Sequence, residues 1–291
     1  MIESSLTSHK ARPVRRRLGC VLLFIGAGLL LMSMLGEWSS LGDLRTKRAR
    51  VWEHFDRGLA ERTRTLDALY DAAERKSGGN LRSLPPRQSM QSLFAITSAR
   101  FTHGAAMHTP LSNWMLWALG RIHPAFGAVR DPSILLKRSE SAFCGEVSYV
   151  LMQLARKAGI RSRHVGLNGH IVMEAWHDGD WHMYDPDFEV APLNGTGSVL
   201  SVAALSRNED LIRKAYGGKP GSQLSLDAVV RILTSREDNN FVSYPPGSQF
   251  EWKSQILLHF EQTSDYLKFI VPALFIVAGA LMLSHRRKYL P

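Results

Sequence analysis

Two apolar runs, one near each end of the chain, constrain this sequence more than any other feature. The first extends from Leu18 to Gly36, and its only polar residue is Ser33. At about 1.5 Å per helical residue, its nineteen residues nearly cross a hydrocarbon layer of ~30 Å. The second comprises residues 269–283, and it reaches 266–284 if Lys268 extends to the membrane surface. The sequence therefore predicts two membrane-spanning helices.

The distribution of charge predicts how these helices are oriented. Segments 1–36 and 268–291 hold nine basic residues and one acidic residue, whereas the remainder holds 27 basic and 25 acidic residues. By the positive-inside rule, both ends face the cytoplasm and the long middle segment faces outward. Basic residues at 45, 47, 48 and 50 act against this orientation. Because the middle is nearly neutral, the net charge of +10 does not indicate a nucleic-acid partner.

The two runs have other interpretations. A cleaved signal peptide would have a shorter apolar region followed by an A-x-A-like site, and no such site follows the first run. A lipoprotein signal would end at its cysteine, whereas Cys20 lies at the start of the run. A proline, an apolar run and a basic tail at the C-terminus are also the elements of a sorting signal, and that alternative stays open.

The spacing of apolar residues divides the segment between the two runs further. Apolar residues recur at helical spacing from Asp43 to Lys76, which predicts an amphipathic helix, and further helices are predicted within 89–130 and over 221–233. The predicted segments are a basic tail (1–17), a membrane helix (18–36), a juxtamembrane helical segment (37–88), a globular domain (89–238), a linker (239–265), a second membrane helix (266–284) and a basic tail (285–291).

Residues 141–188 contain the candidate reactive side chains. From Cys144, apolar residues keep the helical period up to Gly159, so Cys144 is predicted at a helix N-terminus. The helix dipole and the free amides at that end favour a thiolate. If Cys20 lies in the bilayer, Cys144 is the only cysteine of the exported domain and cannot form a disulfide within it.

A β-hairpin is predicted directly after this helix. Two alternating segments flank Asp178–Gly179, a dipeptide typical of two-residue hairpin turns. The resulting register pairs Trp176 with Trp181, Glu174 with Met183, Val172 with Asp185, and His170 with Asp187. It places His170 within reach of both aspartates, with Asp187 opposite and Asp185 diagonal. A thiolate, an imidazole and a carboxylate are the groups that nucleophilic acyl transfer needs.

This segment resembles the core of the transglutaminase-like superfamily. The matching residues are Cys144; Leu154, Arg156, Gly159, Ile160, Arg163 and Val165; His170 and Trp176; and Trp181, Asp185 and Pro186. The match covers about 48 of the 291 residues. This sequence departs from the family at Ala142, where a glycine is common. It also departs in the number of residues between His170 and Trp176, which is larger than the family's usual spacing from the histidine to an aromatic residue.

The resemblance implies an α+β fold with a papain-like core, in which the cysteine begins a helix and the histidine and aspartate lie on an antiparallel sheet between terminal membrane helices. It implies that Cys144 is the nucleophile, His170 the acid and base, and Asp185 the group that orients the imidazole. We expect a membrane-anchored enzyme that hydrolyses or transfers amide groups of an envelope protein or peptide, without metal or cofactor. Its main domain would face the periplasm or the cell exterior.

Several alternatives stay open at this point. Asp187 could replace Asp185, because the hairpin register favours it. Asn113, Trp114 or His103 could supply a second oxyanion donor beside the Cys144 amide. His164 and His182 are interpreted as structural, and a metal site that combines them with His170 and Cys144 is disfavoured because their spacing matches no common ligand pattern. A catalytically silent binding module of the envelope is the main alternative function, and a metal-binding envelope protein is a third.

Overall fold

A computed structural model of the chain describes residues 6–46, 48–219, 225–235, 240–242 and 251–284. Its helices are α1 (Leu6–Trp38), α2 (Arg57–Arg62), α3 (Leu66–Ser77), α4 (Pro86–Arg100), α5 (Pro110–Ile122), α6 (Pro124–Gly127), α7 (Pro132–Arg138), α8 (Cys144–Lys157), α9 (Val202–Leu205), α10 (Glu209–Tyr216), α11 (Leu226–Thr234) and α12 (Glu251–Ser284). Its strands are β1 (Thr102–His103), β2 (Ser141–Ala142), β3 (Ser162–Leu167), β4 (His170–His177), β5 (Asp180–Tyr184) and β6 (Asn240–Val242).

The chain divides into two compact units. The membrane unit consists of residues 1–43, 108–127 and 260–291, and the core unit consists of residues 44–107 and 128–259. The sequence-based boundaries run differently, because they assign residues 44–88 to a juxtamembrane segment and residues 108–127 to the globular domain. The fold is mixed α and β, with an apolar helix at each end.

The membrane unit contains two helices that are long and apolar enough to cross a membrane. These stretches are Val14–Trp38 in α1 and Gln255–Ser284 in α12. The two helices approach closely at glycines: a Cβ atom built on Gly279 would lie 2.6 Å from the carbonyl oxygen of Gly19, and one built on Gly26 would lie 2.7 Å from that of Pro272. Small residues permit this kind of backbone approach between membrane helices.

Lys268 does not extend to the surface as the sequence analysis assumed. Its side chain is buried, and its Nζ donates to Glu37 Oε2 at 3.0 Å and to the carboxylate of Asp265. The backbone carbonyl of Lys268 accepts hydrogen bonds from Ser33 Oγ at 2.9 Å and from Trp114 Nε1 at 3.1 Å. Lys268 is therefore paired inside the membrane unit, where an unpaired buried charge would be costly.

The core unit is built on an antiparallel sheet with strand order β5-β4-β3-β6. One apolar cluster joins the buried face of α8, including Val150 and Leu154, to Met173 and Tyr184 of the sheet. A second cluster joins sheet residues such as Val172 to residues of α9, α10 and α11. Alternate strand residues point to opposite faces, so the sheet separates these two clusters.

The predicted amphipathic helix over 43–76 is wrong as a single element. Residues 44–46 and 48–56 are not helical, and two short helices, α2 and α3, follow. Each begins with its own side-chain cap: Asp56 accepts from the amide of Leu59, and Thr65 accepts from the amide of Ala68. The apolar residues at 59, 66, 69, 70 and 73 lie on these two helices, whereas those at 51, 52 and 55 lie in the non-helical stretch. An N-cap residue favours a helix start over helix continuation.

Several predicted segments are only partly covered. Within the predicted linker, residues 240–242 form β6, and α12 begins at Glu251, whereas residues 239 and 243–250 lie outside the described residues. The predicted tail 1–17 is described from residue 6 onward, and Leu6 to Arg17 belong to α1. The predicted tail 285–291 lies outside the described residues. The helix predicted over 221–233 is observed as α11, which Ser225 caps.

Candidate active site

The first helical turn of α8 carries Cys144. The preceding strand β2 pairs with β1 in parallel, with Thr102 opposite Ser141 and His103 opposite Ala142, so β1 brings His103 beside the start of α8. The predicted helix beginning at Cys144 is confirmed, and Gly159 has the expected left-handed backbone at φ +81°. Cys144 is partly exposed. The thiol of this partly exposed residue therefore lies at a helix N-terminus.

Glu146 lies in the same first turn. Burial raises the pKa of its carboxyl group, although the backbone amides of Glu146 and Phe143 and the charge of Arg130 act in the opposite direction. The N-cap residue Phe143 supplies no side-chain hydrogen bond. Glu146 therefore takes over part of the capping that a polar N-cap side chain would provide.

The predicted hairpin is confirmed, but its pairing ends earlier than expected. Trp176 pairs with Trp181, and both turn residues have positive φ, 51° at Asp178 and 82° at Gly179, as a type I′ turn requires. The ladder stops at Met173–Tyr184, so the predicted backbone pairs of Val172 with Asp185 and of His170 with Asp187 are wrong.

Asp185 turns away from the hairpin at this point. Its backbone exchanges two hydrogen bonds with Val190, of 2.8 and 2.9 Å. The next residue, Pro186, has no amide hydrogen to donate to a ladder, which favours the end of strand pairing here. Residues 186–189 consequently form a tight loop, which carries Asp187.

Asp185 is the carboxylate that contacts His170. Its Oδ2 lies 2.7 Å from His170 Nε2, and both side chains are buried. Burial lowers the pKa of His170. Asp185 and Cys144 have the opposite and larger effect, because both carry negative charge and both form hydrogen bonds with the imidazole, and the pKa is raised well above 6.5. Since Nε2 faces Asp185, Nδ1 is the nitrogen left for the thiol. The structure thus brings together the three residues that the resemblance singles out.

Tyr216 is a member of this site that the sequence analysis missed. Its hydroxyl donates to Asp185 Oδ2 at 2.8 Å, and the amide of Phe188 donates to Asp185 Oδ1 at 3.1 Å. Burial and the charge of Asp185 raise the pKa of Tyr216 well above 10, so its hydroxyl keeps the donated proton. Tyr216 lies 31 residues beyond Asp185, on α10, where no local pattern marks it.

Asp187 contacts a different histidine. Its Oδ1 lies 2.6 Å from His103 Nδ1. One ligand-type atom each from Cys144, His170 and Asp187 nevertheless lies within 4.8 Å of the other two. Asp187 also lines a small recess together with Glu53, His103 and other residues. The site therefore contains two histidine–aspartate pairs, and Asp187 lies close to the thiol.

The three candidates for a second oxyanion donor differ in position. Asn113 and Trp114 belong to the membrane unit, and Trp114 Nε1 already donates to the carbonyl of Lys268. His103 belongs to the core unit, and its buried Nε2 has no hydrogen-bond partner among the described residues. Of the three, His103 is the one in contact with a residue of the candidate site.

The other two histidines of the sequence analysis lie outside the cluster around Cys144. His164 is buried, and desolvation lowers its pKa to about 3. The ring nitrogens of His182 lie against the carbonyl oxygens of Val199 and His177. In the described part of the chain, the possible metal-ligand groups are Cys144, His170 and Asp187, and separately His177, Asp178 and His182.

An aromatic layer covers the imidazole and its carboxylate. The ring of Phe188 lies edge-on to His170 at 5.4 Å, and Trp52 stacks on Phe188 at 5.9 Å. The guanidinium of Arg50 lies 5.2 Å from the ring centroid of Trp52. This layer limits the access of water, which strengthens the electrostatic interaction between His170 and Asp185. Trp52 joins the layer from a segment that the sequence analysis predicted as helix.

Comparisons with known proteins do not add to this description: no protein-family model, curated protein or solved structure matches the chain.

Proposed function

We propose that this protein is a membrane-anchored thiol enzyme of the transglutaminase-like type, which cleaves amides or transfers their acyl groups. The observation that carries the proposal is the 2.7 Å contact of His170 Nε2 with Asp185 Oδ2, next to a cysteine that begins a helix. A carboxylate in this position holds the imidazole in one tautomer. The other ring nitrogen can then take the thiol proton and return it.

The reaction would proceed in two halves. In the first, the Cys144 sulfur attacks the carbonyl carbon of an amide, the C–N bond breaks, and His170 gives its proton to the departing amine. In the second, water or an amine attacks the resulting thioester, His170 removes a proton from it, and the C–S bond breaks. Hydrolysis and acyl transfer share the chemistry up to the thioester, and the proposal includes both.

The electrostatics of the site support this sequence of steps. The raised pKa of His170 favours an imidazolium beside the sulfur, and an imidazolium stabilises a thiolate. The amides at the start of α8 act in the same direction. The Cys144 amide is one oxyanion donor in this mechanism. Because His103 Nδ1 donates to Asp187 Oδ1, His103 Nε2 is a second donor only when the ring is protonated at both nitrogens.

The core unit would face the periplasm or the cell exterior, and the two apolar helices would span the cytoplasmic membrane. The basic residues outside the two apolar runs support this orientation. A reporter that is active only outside the cytoplasm should therefore be active when fused near residue 245 and inactive when fused after Lys288. Activity at both positions would contradict two retained spans and favour the sorting-signal alternative.

Capture of an acyl group on Cys144 tests the enzymatic proposal. Full-length protein is incubated with a cell-envelope extract in the presence of a chelator and quenched with acid, and the peptide containing Cys144 is analysed by mass spectrometry. We expect an added mass that hydroxylamine removes, because hydroxylamine cleaves thioesters. The adduct should persist in Cys20→Ser and disappear in Cys144→Ala.

The catalytically silent binding module predicts a different outcome. Cys144 would then remain unmodified in the extract although it reacts with an alkylating reagent. A stable complex with an envelope component, formed equally well by Cys144→Ala, would favour this alternative.

A further inference from the structure

The group at the candidate active site consists of one sulfur, one imidazole nitrogen and one carboxylate oxygen. These atoms of Cys144, His170 and Asp187 lie within 4.8 Å of one another. Zinc binds these three ligand types in proteins, and sites with three protein ligands keep a fourth position for water or substrate. A thiolate and a carboxylate also balance the charge of a divalent cation when the imidazole is neutral.

Outer contacts hold two of these ligands in suitable orientations. Asp185 faces His170 Nε2 at 2.7 Å, so Nδ1, the nitrogen beside the thiol, is the one that a cation would bind, in exchange for the proton that this nitrogen shares with Cys144. His103 Nδ1 donates to Asp187 Oδ1 at 2.6 Å, which leaves Oδ2. Carboxylate partners of ligand histidines and hydrogen bonds to ligand carboxylates are typical outer interactions of zinc sites.

The second group of possible ligands lacks this arrangement. Both nitrogens of His182 face backbone carbonyl oxygens, and His177 Nε2 lies 3.1 Å from the hydroxyl of Tyr184. Both ring nitrogens of His182 and Nε2 of His177 are therefore already used in hydrogen bonds, and His177 Nδ1 lies 3.1 Å from Asp178 Oδ2. A cation would have to displace those hydrogen bonds before it could bind.

We infer that the protein binds a zinc-like divalent cation through Cys144 Sγ, His170 Nδ1 and Asp187 Oδ2, and that the bound cation inhibits thiol chemistry. The second half of this inference rests on the proposed function. The cation occupies the sulfur lone pair that would attack the substrate and the nitrogen that would carry the proton. Acyl capture at Cys144 therefore requires the cation to leave.

Cobalt is a suitable probe, because a cobalt–thiolate bond gives an intense charge-transfer absorption. The full chain carrying Cys20→Ser, solubilised in detergent and reduced, is titrated with Co²⁺ alone. We expect a charge-transfer band that saturates at one equivalent, that Zn²⁺ abolishes, and that is missing in Cys144→Ala. Asp187→Asn should weaken Co²⁺ binding by at least ~10-fold. Loss of a residue that only hydrogen-bonds to a metal ligand already costs about that much, and Asp187 is proposed to be a ligand itself.

Asp178→Asn is the matched control, since it alters a carboxylate of the other group and should leave the titration unchanged. A band that survives in Cys144→Ala, or an equal loss in both aspartate variants, would overturn the inference. If Asp187→Asn fails to fold, a second readout uses the otherwise unchanged protein: Zn²⁺ should protect Cys144 from an alkylating reagent. Absence of this protection would overturn the inference. Acyl capture with chelator but no cobalt band rejects only the metal site, whereas a cobalt band without acyl capture rejects only the enzyme.

Discussion

His164 and His170 are both buried histidines of the same antiparallel sheet, yet they have opposite charge preferences. His164 lies on β3, and burial lowers its pKa to about 3. His170 begins β4, and although burial acts on it in the same direction, Asp185 and Cys144 raise its pKa well above 6.5. Neither ring nitrogen of His164 faces a carboxylate among the described residues. Burial, with the charge of Arg156 acting in the same direction, therefore keeps His164 neutral, whereas the buried carboxylate of Asp185 favours a charged His170.

This difference identifies Asp185 as the residue on which the state of the candidate site depends. Asp185 is fully buried and accepts hydrogen bonds from Tyr216 and from the amide of Phe188 in addition to its contact with His170. The comparison predicts that changes at Asp185 have large effects and that changes at His164 affect stability alone.

Replacement of Asp185 should have the largest effect. In Asp185→Asn, His170 loses the negative charge that keeps its pKa raised and becomes more like His164. By analogy with serine triads, the rate of Cys144 acylation should fall on the order of 10⁴-fold while the fold is kept. The rate is measured by acid quench and mass spectrometry, with circular dichroism as the check of folding.

Asp187→Asn is the matched control for this prediction. Asp187 contacts His103 instead of His170 Nε2, so the acylation rate in the presence of a chelator should change far less than in Asp185→Asn. If Asp187→Asn were the crippling change and Asp185→Asn nearly silent, the assignment of the orienting carboxylate from the family resemblance would be wrong.

Replacement of His164 should remove an acid sensitivity of the fold. An unfolded histidine binds a proton below about pH 6.5, whereas folded His164 does so only near its pKa of about 3. Between these values, falling pH favours the unfolded state by about 1.4 kcal/mol per pH unit. His164→Phe should therefore flatten the loss of melting temperature between pH 6.5 and pH 4.5.

The exposed residue His123 provides the control for this experiment. His123→Phe should leave the acid dependence of the melting temperature as in the unmodified protein. Equal slopes for His164→Phe and the unmodified protein would contradict the assignment of His164 as a buried neutral histidine.

The sequence predicted the parts of this comparison that depend on short-range chemistry. The Asp178–Gly179 turn identified the hairpin, and the apolar period from Cys144 identified α8, because both signals lie within one element. The family resemblance favoured Asp185 over Asp187, and the missing amide hydrogen of Pro186 is consistent with the end of the ladder at Tyr184. The register argument alone pointed to Asp187, because it extended the ladder past Tyr184.

Contacts between distant segments could not be predicted in this way. Tyr216 reaches Asp185 from α10, Trp52 reaches Phe188 from a non-helical stretch, and His103 reaches Asp187 from β1. Each of these pairs depends on how elements pack, which periodicity does not specify. The apolar spacing over 43–76 failed for a related reason, since a residue such as Trp52 packs on a distant partner from a non-helical stretch as well as it would from a helix.

Replacement of Tyr216 should lower the acylation rate much less than replacement of Asp185. Tyr216→Phe removes one of the hydrogen bonds to Asp185 and leaves its charge in place. We expect the acylation rate to fall about 10-fold, which corresponds to ~1.4 kcal/mol, far less than for Asp185→Asn. A loss as large as that of Asp185→Asn would show that Tyr216 takes part in the chemistry itself.

Titration of the two histidines by nuclear magnetic resonance tests the central claim most directly. The detergent-solubilised protein, labelled at its 11 histidines, is titrated between pH 5 and pH 9 in the presence of a chelator, and the ring signals are assigned from His164→Phe and His170→Ala. The account predicts that His170 remains protonated above pH 6.5, whereas His164 remains neutral down to pH 5. A neutral His170 at pH 6.5, or a His164 that titrates at the usual value for histidine, would contradict it.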